Sequence, residues 1–138
     1  MGGAKASTPS RRSTSRNVIL ADSSVWIDHF RRADQHLLDL LGHNSVAIHP
    51  AVHAEIALGG IPQRAQTLAT LGDLPKVDAA SEFEVLRLID VQSLQSTGLS
   101  YVDVHLLAST MISAETMLWT RDRRLATEAQ RLGVAWQP

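Results

Sequence analysis

Four acidic residues stand where their types and surroundings suit joint chemistry. Asp22 ends a short apolar run, Val18-Ile19-Leu20-Ala21. Glu55 lies in the mostly apolar stretch His53-Ala54-Glu55-Ile56-Ala57-Leu58. Asp103 follows Ser100 by three residues and opens a segment with Val104, Leu107 and Met111 at helical spacing. Asp122 comes just after a third apolar run over residues 117–120. Two carboxylates ~4 Å apart repel by about 4 kcal/mol at an effective dielectric of ~20. A protein that gathers such groups must neutralise them, and hard divalent cations do so through oxygen ligands. A Mg²⁺ or Mn²⁺ site of this kind suits phosphodiester hydrolysis, because the ion acidifies a bound water and offsets charge on the scissile phosphate. Each acid also has a plain structural role open to it. Asp103 can complement a helix dipole from the N3 position. Asp122 can cap the last helix, Asp22 can serve a turn, and Glu55 can face solvent. Spacing alone leaves both readings open.

The elements that would position these acids follow from hydrophobic periodicity and punctuation. Residues 18–21, 46–48 and 117–120 read as short buried strands, and residues 134–136 as a final one. Between them lie helical stretches. The first is capped by Ser23 or Ser24, and the second holds Leu37, Leu38, Leu40 and Leu41 and ends near Gly42. Pro50 suits the first turn of a third, which runs through Glu55 and Leu58 to Gly59-Gly60. Pro62 opens a fourth that stops at Gly72, and Val77 falls in a short extended segment. Ser81 with Glu84 makes a capping box, with Phe83, Leu86 and Ile89 lining one side of that helix. Ser100 with Asp103 starts another, and Leu125, Ala129 and Leu132 define the last. Short apolar runs alternating with helices predict an α/β domain around a mainly parallel sheet. Ligands in such sheets bind outside the carboxyl ends of the strands, and Asp22 and Asp122 both fall at such ends. No Gly-rich phosphate loop of either common pattern occurs.

A chain of 138 residues is expected to form one domain. The absence of cysteine excludes a disulfide framework, a thiolate metal site and a cysteine nucleophile. The net charge of −1 is an average over unlike parts. Residues 1–16 carry Lys5, Arg11, Arg12 and Arg16 and no acid, whereas the remainder holds nine basic and fourteen acidic residues. The basic leader, rich in Ser, Thr and Gly, is expected to be a disordered extension, with a nucleic-acid-contacting arm as the alternative. The folded domain is then residues 17–138. No signal-peptide core follows the leader, and no stretch approaches the roughly 20 apolar residues of a membrane span. A cytoplasmic protein with no membrane contact is expected.

Four segments carry a resemblance: residues 18–28 around Asp22, 49–59 around Glu55, 98–109 around Asp103 and 118–125 around Asp122. In order and spacing they resemble the PIN-domain ribonucleases, and among them the VapC-like toxins of type II toxin–antitoxin (VapBC) pairs. The resemblance covers about residues 17–136. It implies a single PIN-like α/β/α sandwich with a mainly parallel central sheet. It further implies a hydrolase, an endoribonuclease that cuts single-stranded RNA with Mg²⁺ or Mn²⁺. The family's acids fall on Asp22, Glu55, Asp103 and Asp122. Asp22, Asp103 and Asp122 would hold the ion directly or through water, and Glu55 would orient the attacking water or act as general base. Displacement of the 3′ oxygen would leave 5′-phosphate and 3′-hydroxyl ends. Ser23 and Thr120 fall on the family's hydroxyl positions and would orient carboxylates or waters. Some relatives carry a further acid just beyond the last, where this chain has Arg123 and Arg124, so one-metal and two-metal schemes both stay open. The implied partners are an RNA substrate, a cognate VapB-like antitoxin and a second copy in a homodimer.

His49 and His53 are four apart, but Pro50 follows His49 and disfavours helical geometry there, so zinc is not expected. His49 is expected to cap a helix, and His105 to be structural. Arg121, Arg123 and Arg124 flank Asp122 and are candidate contacts to RNA phosphates. Trp26 and Trp119 are expected in the core. A receiver domain would want a late lysine, but the lysines are Lys5 and Lys76. A haloacid-dehalogenase-type phosphatase would want Asp-x-Asp, where this chain has Asp22-Ser23-Ser24. A catalytically inactive PIN-like RNA- or protein-binding module is the competing class, and the presence of all four acids weighs against it.

Overall fold

The computed structural model describes residues 18–138; the expected extension over residues 1–16 lies outside them. Val18–Ala21 forms strand β1, and its uninterrupted apolar run is buried between helical layers, as a central parallel strand requires. Asp22 ends the strand and caps α1 (Ser23–Arg31). Asp34 caps α2 (Gln35–Gly42), and the short β2 (Val46–Ala47) follows. His49 and Pro50 begin α3 (Pro50–Ala57). Next come α4 (Arg64–Gly72), α5 (Glu82–Val91), α6 (Tyr101–Ile112), β3 (Thr116–Trp119) and α7 (Arg123–Arg131).

The sheet order is β2-β1-β3, all parallel. Ile19 pairs with Val46 on one side and Met117 on the other, so β1 is central. Single parallel bridges, Ile48 with Lys76 and Leu118 with Ala135, lengthen the sheet at both edges. The expected final strand over residues 134–136 thus reduces to one bridge. Helix α1 packs on α3 and α3 on α4, while α5 packs on α6 and α6 on β3. The result is a PIN-like α/β/α sandwich. Its core includes Ile19, Leu20, Val25, Trp26, Leu106, Leu107, Leu118, Trp119 and Leu125, which places both expected core tryptophans. Among the described residues no helix is long and apolar enough to cross a membrane.

The topology fixes where a ligand can sit. The chain leaves β1 toward β2 on one side and returns to β3 on the other, so the order reverses at β1. In open parallel sheets the crevice outside the strand ends at such a reversal is the binding position. Asp22, Thr120 and Asp122 all lie there.

Three local expectations shift. Both capping boxes form, Ser81 with Glu84 and Ser100 with Asp103. Helix α4, however, starts at Arg64 rather than at Pro62, because Gln63 adopts a left-handed conformation, φ 47°, that no helix continues through. Helix α3 ends at Ala57, leaving Leu58 exposed. In α5 the inward stripe is Val85 with the half-buried Leu88 and Ile89, whereas Phe83 and Leu86 face outward. The helix carries two apolar stripes and the core accepts only one.

Candidate active site

Asp22 is the centre of the rim. The residue is only 6% exposed. Oδ1 accepts the Ser23 amide at 2.7 Å, which makes Asp22, not Ser23 or Ser24, the cap of α1. Oδ2 accepts the Thr120 hydroxyl at 2.7 Å and the Ser24 hydroxyl at 3.0 Å. The Ser23 hydroxyl lies 3.4 Å from Oδ1 and donates to Glu55 Oε1 at 2.9 Å. A buried carboxylate is tolerated only when its charge is met by donors. Here two of the donors are hydroxyls, those of Ser24 and Thr120, whose hydrogens rotate and whose oxygens can also accept. Asp22 is therefore satisfied within the protein, in part by hydroxyls free to rotate.

The other acids reach this centre by different routes. Glu55 is exposed on α3 and joins Asp22 through Ser23. Asp122 caps α7 by accepting the Leu125 amide at 2.9 Å, and its own amide donates to Thr120 Oγ1 at 3.0 Å. Asp103 sits at N3 of α6, where its Oδ2 accepts the Ser100 amide at 3.0 Å. Its carboxylate is thus engaged with its own helix start rather than with Asp22. The starts of α6 and α7 adjoin: Gly98, with φ +83°, lies under Arg124, and a Cβ at Gly98 would stand 3.0 Å from Arg124 Cδ. Three acids consequently sit at helix N-termini, whose dipoles favour negative charge. The structural roles open to Asp103 and Asp122 are both realised.

Among the described residues no three His, Asp or Glu side chains stand close enough to chelate one ion together. The donors at the rim are nonetheless all hard oxygens. Mg²⁺ takes one or two carboxylates and keeps several waters, so the donor set fits a hydrated Mg²⁺ or Mn²⁺ anchored on Asp22.

Ser24 is a site residue that sequence reasoning missed. The Asp-Ser-Ser run suggested a cap and nothing to distinguish the second serine. Its hydroxyl also accepts the Arg121 amide at 3.0 Å and lies 3.4 Å from Thr120 Oγ1. Of the three arginines flanking Asp122, Arg121 turns inward, to Asp28 Oδ2 at 2.9 Å and Asp34 Oδ2 at 2.5 Å. Burial opposes ionisation of Asp34, but the Leu37 amide and the Arg121 guanidinium outweigh it and hold Asp34 below its usual range. Arg123 and Arg124 are exposed and make no ion pair among the described residues.

His49 and His53, four residues apart, point to separate partners. His49 is 1% exposed. Its Nδ1 accepts the Ala51 amide at 2.9 Å, and its Nε2 lies 2.9 Å from Ser109 Oγ. An accepting Nδ1 leaves the proton of the neutral ring on Nε2, which donates to Ser109. Burial, reinforced by the neighbouring His105, pushes the His49 pKa down to about 4. His53 Nε2 bonds the Leu68 carbonyl at 3.0 Å, and His105 Nε2 the Ala80 carbonyl at 2.8 Å. All three are structural.

A parallel sheet of order β2-β1-β3 with acids and hydroxyls at its reversal point defines a PIN-like nuclease-type α/β fold. PAE2754 from Pyrobaculum aerophilum shares the fold, with a TM-score of 0.54 at 20% identity, over 82% of this chain and 80% of that one. The chain is 43% identical over 118 residues to Ribonuclease VapC32 of Mycobacterium tuberculosis, in strains CDC 1551 / Oshkosh and ATCC 25618 / H37Rv. The match spans 86% of this chain and 95% of that relative. The chain belongs to the VapC ribonuclease family. No family model matches it.

Proposed function

We propose that this protein is a Mg²⁺- or Mn²⁺-dependent endoribonuclease, the toxin of a VapBC pair. The observation that carries the reading is the buried Asp22 carboxylate at the sheet's reversal point, joined by hydroxyls to Glu55 and to the Asp122 cap. Asp22 would hold the ion, with Asp103 and Asp122 contributing directly or through water. A bound divalent ion supplies Lewis acidity, acidifying a water and offsetting charge on the scissile phosphate. Ser23 and Thr120 keep the carboxylates aimed. Glu55, exposed and tethered among the described residues by Ser23 alone, would orient the attacking water or accept its proton. Arg123 and Arg124, without acidic partners among the described residues, are the arginines left to meet RNA phosphates. Arg121 is taken up by Asp28 and Asp34.

The family membership supports an RNA substrate, a VapB-like antitoxin and a homodimer. The exposed apolar side chains Phe83, Leu86, Val91, Met111 and Ile112 on α5 and α6 are what a protein partner would cover. The test is direct. Purified protein should cut single-stranded RNA internally with Mg²⁺ or Mn²⁺, stop with EDTA and resume on adding the ion back. Mapped fragments should carry 5′-phosphates. Cleavage that persists in EDTA, or that Asp22→Asn leaves intact, rejects the reading.

A further inference from the structure

Arg121 sits between Thr120 and Asp122, so sequence position makes it look like an RNA contact. Its surroundings say otherwise. Its guanidinium donates to Asp28 on α1 at 2.9 Å and to Asp34, the cap of α2, at 2.5 Å. Its Cζ lies 5.7 Å from the centroid of the buried Trp119 ring. Two carboxylates already offset its single charge. Side-chain exposure is 37% for Arg121, 44% for Asp28 and 17% for Asp34. The open pair with Asp28 contributes little stability. What the bridge does supply is geometry, because a planar guanidinium spanning two acids fixes orientation as well as position.

The fixed object is the main chain of residue 121. Its amide donates to Ser24 Oγ at 3.0 Å, and Ser24 Oγ donates to Asp22 Oδ2 at 3.0 Å. With the Arg121 amide seated on the Ser24 oxygen, the single hydroxyl proton points to Asp22. The Arg121 side chain thus anchors, through Asp28 and Asp34, the loop whose amide sets the Ser24 rotor. We propose that Arg121 is a positioning residue that aims the Asp22 carboxylate through Ser24, and is not a ligand for RNA. The inference rests on the reading of Asp22 as the metal-anchoring acid.

The test uses the full chain as wild type, Arg121→Ala, Ser24→Ala, the double variant and Arg124→Ala. Two quantities are measured: Mn²⁺ binding by calorimetry without RNA, and kcat and KM on a defined single-stranded RNA across salt concentrations. Positioning partners of metal ligands typically cost ~10–100-fold in affinity or activity when removed. Arg121→Ala and Ser24→Ala should each weaken Mn²⁺ binding and lower kcat by about that range, with little change in KM or its salt dependence. The double variant should be no worse than either single one, because the two residues act in series. Arg124→Ala should instead raise KM and flatten its salt dependence, leaving Mn²⁺ binding alone. Arg121→Ala behaving like Arg124→Ala overturns the inference, as do multiplicative losses in the double variant or an Arg121→Ala indistinguishable from wild type. If the wild type neither binds Mn²⁺ nor cuts RNA, the reading of Asp22 fails first and this inference falls with it. Asp34→Asn, which loosens the same anchor without touching residue 121, guards against misfolding of Arg121→Ala and should show the same signature.

Discussion

Asp22 and His49 hold matching posts on adjacent parallel strands. Each follows its strand within two residues, caps the next helix and is almost fully buried. Their partners differ. Both ring nitrogens of His49 are engaged, with Ala51 and with Ser109, and Ser109 also accepts the Ala80 amide at 2.9 Å. That network is neutral and enclosed, and it pins the start of α3. Asp22 is surrounded mainly by hydroxyls, which open outward to Glu55 and Asp122. A buried neutral cap behaves as a structural pin. A buried charged cap held by rotatable donors at a sheet reversal is, on the proposed function, the post that would exchange those donors for a cation. The two posts cooperate, since the helix that His49 pins carries Glu55.

Substitution should separate the posts. Asp22→Asn keeps an effective N-cap residue and removes the charge. Initial rates on RNA should fall by at least about 100-fold, beyond the usual loss for a supporting residue, while the urea midpoint stays near that of wild type. His49→Ala should do the reverse. It leaves the Ala51 amide unpaired, takes one of two partners from the Ser109 hydroxyl and opens a small cavity, which should cost about 3 kcal/mol in urea unfolding, with activity per folded molecule within a few-fold of wild type. A His49→Ala protein that is stable but inactive would break the comparison.

Acidity should sharpen it. His49 titrates at about 4 when folded and near ~6.5 when unfolded. Between these values the unfolded chain binds more protons, so stability rises with pH. The His49 contribution is complete above about pH 6.5 and is lost as the pH falls toward about 4, by up to about 3 kcal/mol. Urea unfolding across that window should show the slope in wild type and lose most of it in His49→Gln. Asp34, held below its ordinary value by Leu37 and Arg121 after burial is overcome, acts at lower pH. Its contribution is present above the ordinary carboxylate range and fades below it. The smallest effect concerns the seat of Arg124. Gly98→Ala forces a side chain onto φ +83° and to within 3.0 Å of Arg124. It should cost about 1 kcal/mol, read as a modest drop in melting temperature.

How far the site was legible depended on how local its signals were. Asp22 and Asp122 stood out because a buried strand must end, and an acid at that end is unusual company for an apolar run. The capping boxes of Ser81 and Ser100 were legible for the same reason, since both partners lie three residues apart. Ser23 and Thr120 came from the resemblance and proved to touch Asp22. Ser24 and the inward turn of Arg121 were not legible. Their partners are supplied by the sheet, which brings residue 121 against residues 24, 28 and 34, and no local pattern encodes that. Phe83 and Leu86 face outward against expectation, because periodicity identifies apolar faces without saying which one the core accepts.

Calorimetric titration of the full chain with Mn²⁺, without RNA, probes the Asp22 post most directly. Wild type and His49→Gln should show saturable binding of similar strength, and Asp22→Asn should bind at least about 100-fold more weakly. Equal Mn²⁺ binding by Asp22→Asn and wild type would contradict the assignment of the ion to Asp22.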